Sequence, residues 1–165
     1  MRTRDFSEPP VLPTSQGLKR CSKCAQERPL AEFNWNRFNA CFNPQCIVCR
    51  GNEQRRRNST REGRIRLCVT KARNRSWECS LTVEEATAIF VRQRGRCALT
   101  GERMTFHSGD AFVASLDRIE STRGYHADNV RWVLHIINNM RQHWSDRDFV
   151  LMCHVVAARN ACPKA

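Results

Sequence analysis

Ala111-Phe112-Val113-Ala114-Ser115-Leu116, read together with Val130-Arg131-Trp132-Val133 and the run from Leu134 to Gln142, decides the fold. The first two segments are short, apolar and rich in β-formers, and the turn-forming Glu120-Ser121-Thr122-Arg123-Gly124 lies between them, so they read as a pair of strands. Leu134 to Gln142 reads as a helix. The order is strand, strand, helix: a ββα hairpin.

Helices flank the hairpin. Upstream, Thr82-Val83-Glu84-Glu85 is a capping box followed by apolar Ala86, Ile89, Phe90 and Val91, with Gly95 as the stop. Downstream, Ser145 caps a last helix carrying Phe149, Val150, Cys153 and Val156. Asn52 to Arg75 is helical in composition but polar, which predicts a helix held against something other than its own protein core, such as DNA. Residues 1–18, with Pro9, Pro10, Pro13, Ser15 and Gly17 and no apolar periodicity, read as a disordered arm. The segments are therefore an arm at 1–18, a cysteine-rich knuckle at 19–50, a basic helical segment at 51–95 and the hairpin module with its last helix at 96–165.

Ten cysteines stand in the chain of 165 residues. Cys21-x2-Cys24 and Cys46-x2-Cys49 have the spacing of a structural zinc site, in which two short loops each contribute two thiolates to one tetrahedron. Cys41 is an alternative ligand, but the Cys-x2-Cys pair is the tighter chelate. Cys68, Cys79, Cys97, Cys153 and Cys162 form no second complete set and read as small core residues. The first ten residues lack the apolar segment of a secretory signal, which predicts an intracellular, reducing compartment and favours metal over disulfides. Mean hydropathy is −0.60 and no apolar run approaches the roughly 20 residues of a membrane span, so a transmembrane protein is excluded.

The net charge is +12, nearly all of it in the first 80 residues. Arg50 to Arg75 holds ten basic residues against Glu53 and Glu62. With only four lysines in the chain, arginine supplies the charge, and its planar fork suits phosphate. A polyanion is the expected partner, with Arg55, Arg56, Arg57, Arg61, Arg64 and Arg66 as its contacts. The stretch is too poor in Leu, Phe and Trp to give a membrane-binding face.

Ser115-Leu116-Asp117-Arg118-Ile119, Arg123-Gly124-Tyr125, Asp128-Asn129-Val130 and Ile137-Asn138-Asn139-Met140-Arg141 together resemble the HNH, or ββα-metal (His-Me finger), endonuclease family, over about residues 96–152. Gly95-Arg96-Cys97-Ala98-Leu99-Thr100-Gly101 looks like the degenerate knuckle that opens such modules, and Cys21 to Cys49 resembles the zinc element ahead of it in phage-type and restriction-type members. The resemblance implies an α+β protein with a small ββα-metal nuclease module, flanking helices and an N-terminal four-cysteine zinc finger. It implies that Asp117 and Asn138 hold a catalytic divalent cation, Mg²⁺ or similar, and that Asn129 steadies the loop.

Phosphodiester cleavage needs a cation on the phosphate and hard oxygens to hold it, and Asp117 and Asn138 offer those oxygens from a strand and the following helix. The sequence departs from the family at the general base, where Arg118 stands in place of histidine; an arginine stabilises phosphate charge but does not activate water. His126 is the favoured replacement, with His107 and Tyr125 as alternatives. His135 reads as a packing residue on the opposite helical face from Asn138. Taken alone, Asp117 also reads as a strand-end salt-bridge partner of Arg118.

A further resemblance concerns metal count. Zinc-bearing relatives clamp the ββα module with a second four-thiolate site, and the matching positions here are Cys97, Thr100, Leu134 and Ile137, which cannot bind zinc but can pack together. One structural zinc per chain follows. The function expected is metal-dependent cleavage of double-stranded DNA, and a homodimer is compatible with the sequence. Rival readings are a non-catalytic zinc-dependent nucleic-acid-binding protein with a degenerate hairpin and, more weakly, a structured-RNA binder.

Overall fold

The computed structural model describes residues 17–75 and 78–160; the expected arm through position 16 and Cys162 lie outside them. The chain forms two compact units, Met1–Arg56 and Arg57–Ala165, each described by itself. The architecture is α+β. Among the described residues no helix is long and apolar enough to cross a membrane.

In the first unit, β1 (Leu18–Arg20) pairs antiparallel with β2 (Glu27–Pro29), Leu18 opposite Pro29. Pairing thus begins at Leu18, within the stretch read as arm. A second small ladder joins β3 (Trp35–Asn36) to β4 (Cys41–Phe42), with the Trp35 and Phe42 rings edge to face at 5.0 Å. Helix α1 (Ile47–Asn58) then begins and runs past the boundary between the units. Among the described residues, buried Cys21, Phe33 and Cys46, with Phe42 and Cys49 against them, are all the core this unit has. So small a core needs a staple, a disulfide or a metal.

The second unit contains α2 (Arg61–Arg75), α3 (Val83–Arg92), β5 (Ala114–Arg118), β6 (Val130–Leu134), α4 (His135–Arg141) and α5 (Asp146–Arg159). β5 and β6 pair antiparallel from Ala114 opposite Leu134 to Arg118 opposite Val130. Two strands alone are marginal in water. Here they are covered by Ile65, Val69 and Ala72 of α2 and by Ala86, Ile89 and Phe90 of α3, around the fully buried Trp132. The Trp132 indole N–H donates to Ala86 O at 2.8 Å, and Phe90 meets its ring edge-on at 5.7 Å. Burial of Ile65 or Val69 supplies about 1.5–3 kcal/mol each.

Several expectations shift. The capping box of α3 is present, with Thr82 Oγ1 accepting from Glu85 N and Glu85 reaching back to Thr82 N, and Ser145 caps α5. The first strand starts at Ala114, not Ala111, because Asp110 Oδ1 accepts from Phe112 N and holds that segment in a turn. The polar helix is broken near Ser59-Thr60, where Thr60 Oγ1 accepts from Gly63 N. Gly63 is required there, because a Cβ would collide with Arg57 O.

The expectation that this helix is held against something other than protein is overturned for α2. Ile65, Cys68, Val69 and Ala72 recur at helical spacing beneath the arginines and are buried in the core, which therefore continues across position 95/96, where the sequence reading divides the chain. Cys97 and Leu134 are buried in that core with Ile137 partly buried against it, and Leu134 N donates to Cys97 Sγ at 3.4 Å.

Candidate active site and cysteine cluster

The turn after β1 brings up Cys21 and Cys24, and the approach to α1 brings up Cys46 and Cys49. Their four sulfur atoms all lie within 4.8 Å of one another. Cys41 is exposed and outside the group. Backbone N–H groups point at the sulfurs: Cys46 N and Lys23 N donate to Cys21 Sγ at 3.3 and 3.4 Å, and Cys49 N to Cys46 Sγ at 3.5 Å. The Cys46 amide, chiefly, pulls the Cys21 thiol down to about 6. Cys49, whose thiol is held by Cys46 and crowded by the other sulfurs, is pushed up to about 12. An all-sulfur set of this spread, with one thiol already favouring its anion, fits a tetrahedral thiophilic cation.

In the second unit, Asp117 faces Arg131 across the hairpin and is buried. Its Oδ2 accepts from Arg131 Nε at 3.0 Å and its Oδ1 from Arg141 Nη2 at 2.8 Å. Arg131 also grips both oxygens of Asp146, which lowers the Asp146 carboxyl below its ordinary range. The partners of Asp117 are thus Arg131 and Arg141, not its neighbour Arg118. Neither was singled out in the sequence; the signal available was the cross-strand register, which places Arg131 opposite Asp117.

Asn138 sits on α4 with Nδ2 donating to Ser115 Oγ at 2.8 Å and to Leu116 O at 3.2 Å. Its amide nitrogen is committed to β5, so Oδ1 is the atom available to a ligand. Buried Asn129 staples the loop, donating to Glu120 O and Gly124 O and accepting from Glu120 N. Arg118 donates to Arg123 O at 3.0 Å, and its guanidinium lies over the Tyr125 ring at 5.2 Å. Tyr125 is strapped in place by its N–H on Glu78 O at 2.9 Å. Gly124 permits that approach, since a Cβ there would collide with the same Glu78 oxygen.

Asp117, Arg118, Tyr125 and Asn138 line one cleft of about 100 Å³ with Arg75 and Arg141. It shares Arg75, Leu116, Tyr125 and Asn138 with a cleft of about 120 Å³ whose walls add Arg64, Lys71, Ser115 and His135. Of the three histidine or tyrosine bases weighed from sequence, only Tyr125 lines either cleft. His126 is bonded elsewhere, Nδ1 to Ser80 Oγ at 2.8 Å and Nε2 to Glu78 Oε1 at 3.3 Å, and His107 is away from both clefts.

His135 is not a packing residue. Side chains three apart on a helix share a face, so it is exposed beside Asn138 in the larger cleft. Partial burial, then the positive charges of Arg64, Lys71 and Arg75, hold its imidazole below the ordinary range.

Arg55, Arg56, Arg57, Arg61 and Arg66 are exposed, whereas Arg64 is buried and donates from Nε to Ala114 O at 2.7 Å. Lys71 and Arg75 were missed by the sequence reading. Their signal is the spacing of Arg64, Cys68, Lys71 and Arg75, one stripe of α2, and all four line the larger cleft.

No protein-family model matches the chain, and no curated protein matches it. Among solved structures it is similar to the rare-cutting HNH restriction endonuclease PacI, whose structural report describes a mechanism of DNA perturbation. That similarity has a TM-score of 0.42 and 15% sequence identity, and covers 86% of this chain and 94% of that one.

Proposed function

We propose that the chain is a metal-dependent endonuclease of the HNH type acting on double-stranded DNA. The observation that carries this reading is Asn138: its amide nitrogen is anchored to β5, its oxygen is left to the cleft, and Asp117, Arg118 and Tyr125 line the same space. An amide oxygen and a carboxylate are a hard-oxygen pair suited to Mg²⁺ or a similar cation. A carboxylate has about four lone-pair sites, and the two arginines occupy two of those on Asp117. Such a cation, when bound, would neutralise charge on the scissile phosphate.

The remaining work falls to the chain's own side chains. Arg118 and Arg75, which line the smaller cleft, and Lys71, which lines the larger, would hold phosphate oxygens. Tyr125, its ring fixed beneath Arg118, is the proton-transferring group in the cleft with Asp117 and Asn138, and takes the role assigned from sequence to His126. The four-cysteine cluster holds one structural zinc. The exposed arginines Arg55, Arg56, Arg57, Arg61 and Arg66 bind the DNA backbone.

A second reading has its own observation. Both oxygens of Asp117 already accept from guanidinium groups, those of Arg131 and Arg141, as in a non-catalytic nucleic-acid-binding protein whose hairpin is only a scaffold. Incubation with supercoiled plasmid in Mg²⁺ or EDTA separates the two: nicking or linearisation in Mg²⁺ alone supports the nuclease, and DNA retention without cleavage supports the scaffold.

A further inference from the structure

Helix α5 buries a single residue, Phe149, against the rest of its unit. Its other apolar side chains face outward: Leu151 is 57% exposed, Met152 47%, Val155 52% and Val156 57%. Beside them Met140 and Trp144, also about half exposed, wall an apolar groove of about 610 Å³ together with Met152 and Val156. A helix apolar around most of its circumference belongs between two neighbours, and among the described residues α5 packs on one side only. A contiguous exposed patch of this kind marks an interaction surface.

The charges on that surface select the partner. Asp148, Met152, Val155 and Arg159 follow one another at intervals of four, three and four residues, so they lie along one strip of α5, and all four are exposed. The strip has an acid near the helix N-terminus, apolar residues in the middle and a base at the C-terminus.

We propose that this face docks against the same face of a second copy of the chain, the two α5 helices packing antiparallel about a twofold axis that passes midway between Met152 and Val155 along the strip. In this register Asp148 meets Arg159 of the partner subunit and Met152 meets Val155 of the partner subunit. The pairing is closed and isologous, each contact occurring twice. A parallel pair would set acid against acid and base against base, and would align the helix dipoles unfavourably. With roughly half of each large side chain exposed, the patch brings on the order of 600 Å² from each copy, close to the roughly 800 Å² per partner of a standard interface. Such a dimer does not require the chain to be a nuclease.

Sedimentation equilibrium of the full chain over a hundredfold range of concentration tests it, with circular dichroism confirming that each variant is folded. The wild type should show a reversible monomer–dimer equilibrium. Val155→Glu should be monomeric. Arg159→Asp and Asp148→Arg should each weaken the dimer at least about tenfold, and the double variant Asp148→Arg/Arg159→Asp should recover most of that loss. A wild type that stays monomeric throughout, or a dimer unmoved by Val155→Glu and Arg159→Asp, would overturn the proposal.

Discussion

Asp117 Oδ1 accepts a hydrogen bond from Arg141 Nη2 at 2.8 Å, and the two side chains are 3% and 1% exposed. Arg131 supplies a second guanidinium, its Nε donating to Asp117 Oδ2 at 3.0 Å, so the buried side chain is held from both of its oxygens. Arg141 also donates to Arg118 O and Trp144 O, so one guanidinium ties the end of β5 to the turn before α5.

Arg141→Ala should therefore be costly. It leaves a buried carboxylate with one cation fewer and two carbonyls without their donor, a loss of about 3–5 kcal/mol. Chemical denaturation measures it; a change under about 1 kcal/mol would show that the pair contributes no more than an exposed one.

His135 should titrate below the ordinary imidazole value, because burial and the charges of Arg64, Lys71 and Arg75 disfavour its protonated form. The unfolded chain then binds the proton more readily, so this group's contribution to stability is present above the unfolded value and is lost as pH falls through that value towards the folded one. Lys71→Ala should raise the His135 midpoint, as followed by NMR. A downward or absent shift would contradict the assigned cause.

Replacing Arg55, Arg56 and Arg57 by Ala should flatten the log–log salt dependence of DNA affinity by about two to three units. Arg64→Ala should instead cost stability, about 1.5–3 kcal/mol for the lost charged hydrogen bond to Ala114 O. An unchanged slope in the triple variant would remove the exposed run from the DNA interface.

Elemental analysis of EDTA-washed protein should find about one tightly held zinc per chain, lost in Cys21→Ser or Cys49→Ser. Two equivalents, the second surviving those changes, would point to ligands outside the four-cysteine cluster.

Much of the fold is legible in the sequence because its signals are local. The capping box at Thr82, the cap at Ser145 and the Cys-x2-Cys spacings each specify structure within a few residues. What is not legible depends on distant contacts. The apolar stripe of α2 is masked by the arginines around it, and the fixing of His126 by Ser80 and Glu78 joins segments more than forty residues apart. Asp117 shows the same limit. Its residue type marks it as a ligand or ion-pair partner, but only the folded hairpin reveals that Arg131 and Arg141 already hold it.

The most direct test of the nuclease reading is plasmid cleavage by Asn138→Ala beside the wild type, in Mg²⁺ and in EDTA, with DNA affinity and zinc content measured on the same preparations. The wild type should cut in Mg²⁺ only, and Asn138→Ala should lose cleavage by at least about a hundredfold while keeping affinity and zinc. Cleavage by Asn138→Ala at the wild-type rate would contradict that reading.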